Sequence, residues 1–197
     1  MERSEYYESL KELARETRSR YGLTTPRVLR SDLRRIYRAE GIVICKCPAK
    51  LKRLRGAYIC DDSGPAVLIN GALPPEPTIF TLAHELKHHL VDRGTGLSFC
   101  GESTATAHVE IGAEIFAAEF IFPEVDFWEA LRASGVTPDN YDPEALVQLK
   151  ARVRTTMSYA SMAKRIEFRG YAPSGSHAKV GWRALEDALF GVPFFRR

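Results

Sequence analysis

The chain has 197 residues, 45% of them hydrophobic and 27% charged, with a formal net charge of +3. That balance belongs to a soluble globule with one full core, or one domain and a small appendage, and so small a charge does not demand a nucleic-acid partner. No run of eighteen apolar residues and no signal-peptide pattern occurs, the first twenty residues being rich in Glu and Arg, so a membrane span is excluded and a cytoplasmic protein is expected.

Residues 3 to 20 set Tyr6, Leu10, Leu13 and Thr17 on one side of a helix and Glu and Arg on the other. Beyond Pro26 a second helix is predicted over 28 to 40, built on Val28, Leu29, Leu33, Ile36 and Tyr37. Gly41 ends it, because glycine takes the left-handed conformation at little cost. Three β-rich runs follow, Ile42 to Cys47, Gly56 to Cys60 and Ala66 to Asn70, and Asp61-Asp62-Ser63-Gly64 suits a hairpin between the last two. They predict a small antiparallel three-stranded sheet. Of the four cysteines (Cys45, Cys47, Cys60, Cys100), Cys45 and Cys47 would share one face of a strand, and core thiols in a reducing compartment are expected.

The run His84-Glu85-Leu86-Lys87-His88-His89 carries the chemistry. Histidines four apart project from one helix face a turn above each other, as two imidazoles gripping one ion must. Glu85 then points at the ion's open position, where in zinc peptidases a glutamate takes a proton from water. Ile79, Leu82, Ala83, Leu86 and Leu90 form an apolar stripe, so the segment reads as a core helix. Pro77 suits its first turn and Thr78 its cap. His89, about a hundred degrees round the helix from His88, reads as a histidine that packs or supports a ligand rather than as a ligand, and His108, two before Glu110, points elsewhere on its helix.

A catalytic zinc needs a third protein ligand. The positions that would hold the glycine and third histidine of the longer H-E-x-x-H-x-x-G-x-x-H arrangement are Val91 and Gly94, which closes that route. A glutamate on a following helix is the alternative. Residues 104 to 122 are rich in helix formers, end before Pro123, and carry Glu110 and Glu114 one turn apart. The small residues Gly112, Ala113 and Ala117 would let this helix pack closely on the histidine helix.

Thr81-Leu82-Ala83-His84-Glu85-Leu86, followed by Glu110-x-x-Ala113-x-x-Phe116-Ala117-Ala118-x-x-x-x-Pro123, resembles the ImmA/IrrE family of zinc-dependent metallopeptidases over roughly residues 30 to 170. The resemblance implies an α+β fold, mostly helical, with the small antiparallel three-stranded sheet packed on the HExxH helix as a minimal zincin-like core. It also implies one Zn2+ held by His84, His88 and Glu110, with Glu85 as catalytic base. The family usually has glycine at Lys87 and asparagine at Glu114. Lys87 is expected on the solvent side; Glu114 would either orient a ligand histidine through its ring N–H or compete with Glu110 for the metal. An edge strand of the sheet would take an extended substrate by backbone hydrogen bonds. For the oxyanion of the reaction, Tyr58 is the first candidate, with Arg55 and His177 as further options.

Beyond Pro123 a short helix is expected over Val125 to Ala133, then a loop over 134 to 140, then helices over Pro143 to Arg152 and Thr156 to Phe168, with Thr156 as cap and Gly170 as stop. Lys150, Arg152, Arg154, Lys164, Arg165 and Arg169 give this pair a basic face, so DNA contact through 150 to 169 is considered, as in a helix-turn-helix. Ser174-Gly175-Ser176 reads as a linker before an apolar tail whose Phe194 and Phe195 would dock on the domain or on a second copy. The expected organisation is a metallopeptidase core over 1–125, a helical subdomain over 126–170 and a tail over 171–197. The resemblance implies an endopeptidase acting on a protein substrate, a helix-turn-helix transcriptional repressor in stress response or mobile-element regulation. A DNA-binding regulator, or a toxin–antitoxin component that uses the peptidase fold as a platform, is the alternative.

Overall fold

A computed structural model of the chain describes residues 3–47, 54–93 and 107–193. Two compact units divide it between Pro123 and Glu124. The fold is α+β and mostly helical.

The first unit runs α1 (Arg3–Arg20), α2 (Arg30–Ala39), β1 (Val43–Cys47), β2 (Gly56–Asp61), β3 (Gly64–Asn70), α3 (Pro75–Val91) and α4 (Ala107–Ile121). Its sheet has the order β1-β3-β2. β2 pairs antiparallel with β3, Tyr58 opposite Val67, through the expected hairpin, where Gly64 has a φ of +100°. β1 pairs parallel with β3, Val43 opposite Ala66. The sheet is therefore mixed, which corrects the antiparallel expectation. β1 lies beside β3 rather than beside β2, its neighbour in sequence, and alternation of side chains carries no information about strand direction. Both β1 and β2 are edge strands. Cys45 on β1 is exposed and Cys47 and Cys60 are half-buried, so these are not core thiols; Cys100 lies outside the described residues.

Pro75 occupies the first turn of α3, where its missing N–H costs nothing. The Thr78 hydroxyl donates to the carbonyls of Leu73 and Pro74, so Thr78 sits inside the helix and does not cap it. Ten residues of α3 are buried, among them Glu85, Lys87, His88 and His89. The helix is enclosed because β2 and β3, α2 and α4 all pack on it. The Tyr37 hydroxyl of α2 donates to the Leu82 carbonyl at 2.6 Å, bonding α2 to α3.

α4 is sandwiched between α1 and α3. A Cβ at Gly112 would lie 2.7 Å from Leu10 Cδ1 and 3.1 Å from the Tyr6 ring, so this glycine lets α4 close on α1 and not, as expected, on the histidine helix. Arg18, 4% exposed, donates to the carbonyls of Phe120, Ile121 and Thr25 and thereby satisfies the C-terminal end of α4.

The second unit contains α5 (Glu124–Arg132), α6 (Pro143–Val153), α7 (Tyr159–Phe168), a 3-10 turn (Ser176–Lys179) and α8 (Trp182–Phe190). Ser158 rather than Thr156 caps α7, accepting from the Ser161 N–H, and Gly170 follows its end with a φ of +75°. The segment expected as linker and tail is anchored: buried His177 contacts Glu167 Oε1 and the Tyr141 hydroxyl, each at 2.7 Å, and its ring stacks on Trp182, which stacks in turn on Tyr159. Phe194 and Phe195 lie outside the described residues.

Much of the basic face serves the unit's own packing. Lys150 donates to the Met157 carbonyl and lies over the Tyr159 ring, and Arg152 donates to the Ala130 carbonyl. Arg165 lies over Phe127, and Arg169 pairs with Glu124 and lies over Trp128. No helix among the described residues is long and apolar enough to cross a membrane.

Candidate metal centre

α3 and α4 bring His84, His88 and Glu110 together. One ligand atom from each lies within 4.8 Å of the others, a group that can hold a metal ion. The two Nε2 atoms are 3.3 Å apart; Glu110 Oε2 is 3.2 Å from His84 Nε2 and its Oε1 is 3.6 Å from His88 Nε2. Three lone-pair donors this close are mutually repulsive unless a proton or a cation lies among them, so the arrangement suits a divalent ion. A cleft of about 230 Å³ opens on the group, lined by Leu54, Arg55, Gly56, Phe80, Thr81 and Glu114 beside His84, Glu85 and Glu110.

Glu85 shares that cleft wall and is 1% exposed. Burial pushes its carboxyl above the ordinary glutamate value; Glu110 adds to the rise, while His84, His88 and the Tyr58 backbone N–H oppose it. Its Oε2 is buried without a hydrogen-bond partner among the described residues. A buried carboxylate oxygen left unpaired is costly, and here it lies beside the cleft that opens on the His84, His88 and Glu110 group. Gly56 makes the approach of β2 possible: a Cβ there would lie 2.5 Å from Thr81 Cγ2 and 3.0 Å from Glu85 Oε1. An isolated glycine at a strand start signals such close passage, but nothing in the sequence says which element passes.

Asp92, which ends α3, was not singled out from the sequence. Its Oδ2 is 2.7 Å from His88 Nδ1. With Nδ1–H donated to that carboxylate, the Nε2 lone pair of His88 faces the ligand group. Burial opposes ionisation of Asp92, yet the hydrogen bonds of His88 and Lys87 outweigh it and hold the carboxyl below its ordinary value. The legible signal was a carboxylate one turn beyond His88. Lys87 is 0% exposed, which corrects its expected place on the solvent side; its ammonium donates to Asp92 Oδ2 at 2.7 Å and to the Val109 carbonyl at 3.2 Å. Spacing alone put Lys87 on a polar face; its burial comes from tertiary contacts, among them the Val109 carbonyl of α4 and the Tyr6 ring of α1.

Tyr58 is 2% exposed, and its hydroxyl lies 3.1 Å from His89 Nδ1 rather than among the groups lining the cleft. Burial pushes its phenol up to about 12. His89, buried, is held below its ordinary value mainly by desolvation, as fits a packing histidine. His108 is exposed and meets Tyr6 edge-on. Glu114 lines the cleft a turn beyond Glu110, Arg55 lines it as well, and His177 belongs to the second unit.

Two imidazoles and a carboxylate from a second helix form a group that could hold a metal ion, with the buried Glu85 beside it. The chain belongs to the peptidase M78 family, whose IrrE N-terminal-like domain model matches residues 38–167. That match takes in α3 and α4, and with them all of these groups, and it makes the protein a metallopeptidase by type. No curated protein shows significant similarity to the chain.

Proposed function

We propose that the protein is a cytoplasmic zinc-dependent endopeptidase that cuts a peptide bond in a partner protein, and that the partner is a DNA-binding repressor of the helix-turn-helix kind acting in stress response or mobile-element control. Residues 1–125 would form the peptidase core and 126–170 a helical subdomain. The observation that carries this reading is the convergence of His84, His88 and Glu110 within 4.8 Å beside the buried carboxylate of Glu85.

His84 Nε2, His88 Nε2 and the Glu110 carboxylate would hold one Zn2+. An ion there supplies Lewis acidity toward a peptide carbonyl and toward water. Glu85 removes the proton from the attacking water and passes it to the departing amine nitrogen; its raised proton affinity suits both tasks. Asp92 keeps His88 in the tautomer whose Nε2 is unprotonated. Leu54, Arg55 and Gly56, at the start of edge strand β2, line the cleft and would hold an extended substrate by backbone hydrogen bonds. Arg55 is the only cation among the described residues of the cleft wall, and we assign it, in place of Tyr58, the developing charge on the carbonyl oxygen.

The test compares wild-type protein with Glu85→Gln in cells, labelling new protein N-termini. New termini confined to the wild type and lying in a DNA-binding repressor are expected, with zinc content equal in both. Equal zinc and no new termini would refute the peptidase reading. Termini in unrelated proteins would refute the repressor.

A further inference from the structure

Lys87, the most deeply buried charge near the site among the described residues, is not one of the candidate ligands. Lys87 projects from α3 into the junction of three helices. Its Nζ lies 2.7 Å from Asp92 Oδ2 at the end of α3, 3.2 Å from the Val109 carbonyl in the first turn of α4, and 5.9 Å from the centre of the Tyr6 ring on α1. An ammonium 0% exposed is tolerated only where its protons find acceptors, and here the acceptors stand on both helices that carry candidate ligands. Asp92 orients His88. Val109 immediately precedes Glu110, so holding its carbonyl holds the height and rotation of the turn from which Glu110 reaches the histidines.

We propose that Lys87 is a positioning residue of the metal centre: its ammonium joins the carboxylate that orients His88 to the backbone that presents Glu110, and so sets the spacing of the ligand atoms. The proposal rests on the metal-centre reading above. Apolar contacts alone let two packed helices slide and rotate by fractions of an ångström, whereas a charge-assisted bridge at the end nearest the ligands resists that movement. A residue of equal length without the charge would keep the packing volume and lose the bridge. The three donor atoms would then spread, and Asp92 would lose the charge-assisted hydrogen bond from Lys87.

The experiment uses full-length protein and its Lys87→Met and Lys87→Gln variants. Zn2+ dissociation constants are measured by competition with a chromogenic chelator, and the visible spectrum of the Co2+-loaded protein reports ligand geometry. Circular dichroism and melting of the metal-free proteins report folding. Lys87→Met is expected to weaken Zn2+ binding about 10- to 100-fold, the range for groups that orient ligands, and to change the intensity of the Co2+ bands. Lys87→Gln, which keeps a donor, should lose less. An unchanged dissociation constant and spectrum, whatever the melting temperature does, would overturn the proposal and leave the metal centre standing. If both variants fail to fold, Lys87 is a determinant of the fold and the proposal is likewise overturned. If wild-type protein binds neither ion while Glu110→Ala behaves identically, the metal-centre reading itself falls.

Discussion

Adding one methyl group to Gly56 tests whether β2 and α3 are held as closely as the site requires. A Cβ at that position would sit 2.5 Å from Thr81 Cγ2, 3.0 Å from Glu85 Oε1 and 3.2 Å from the Leu68 carbonyl oxygen. The first contact is impossible without movement, and two of the three neighbours belong to α3. Overpacking of a well-filled interior costs about 1–3 kcal/mol, so Gly56→Ala should lower the melting temperature by roughly 3–10 °C for a protein of this size. Thr81→Ser removes the Cγ2 atom responsible for the closest contact. In the Gly56→Ala background it should return most of the loss, whereas alone it should cost up to about 1 kcal/mol for one buried methyl. Differential scanning calorimetry of the four proteins measures the coupling, expected at about 0.5–3 kcal/mol. A Gly56→Ala protein that melts with the wild type, or additive losses in the double variant, would refute the proposed closeness of strand and helix.

Glu85→Gln should retain zinc and lose about 10²- to 10⁴-fold in kcat on the substrate, the usual contribution of an acid–base group; loss of zinc together with activity would instead make Glu85 a ligand. In metal-free protein the same variant reports on burial. The Glu85 carboxyl binds its proton more tightly when folded, so its contribution to stability is complete below the unfolded glutamate pKa and is lost as pH rises through the folded value. Glu85→Gln should therefore be more stable than wild type at neutral pH and lose that advantage toward pH 4; an advantage independent of pH in chemical denaturation would contradict it. Glu110→Ala should abolish stoichiometric metal in atomic emission analysis, while Glu114→Ala should keep it, and the reverse pattern would exchange their roles. Tyr58→Phe should cost about 1–3 kcal/mol by leaving His89 Nδ1 unpaired, with kcat within a few-fold of wild type; a large kcat loss at unchanged stability would return Tyr58 to the oxyanion.

The candidate site was legible where its chemistry is local. His84, Glu85 and His88 occupy one helical face by spacing, and the carboxylates one turn apart on the next helix narrowed the third ligand to Glu110 or Glu114. Element positions followed from the same short-range rules: Gly41 and Gly170 end their helices with left-handed backbone, and the Asp61-to-Gly64 turn joins β2 and β3. Hydrophobic periodicity and turn chemistry act within a few residues, so a linear reading captures them.

What the sequence by itself determined is therefore a candidate donor set, the helix that presents two of its members, and a mostly helical α+β chain. Tertiary structure alone decided the rest. The parallel pairing of β1 depends on its lying beside β3 rather than β2, and the burial of Lys87 depends on contacts with Val109 of α4 and Tyr6 of α1. Tyr58 turned to His89 because its strand packs along α3, and Gly112 faced α1 because α4 has two neighbours. Each of these is a contact between residues distant in the chain, and the free energy of such contacts is set by packing geometry that no local pattern encodes.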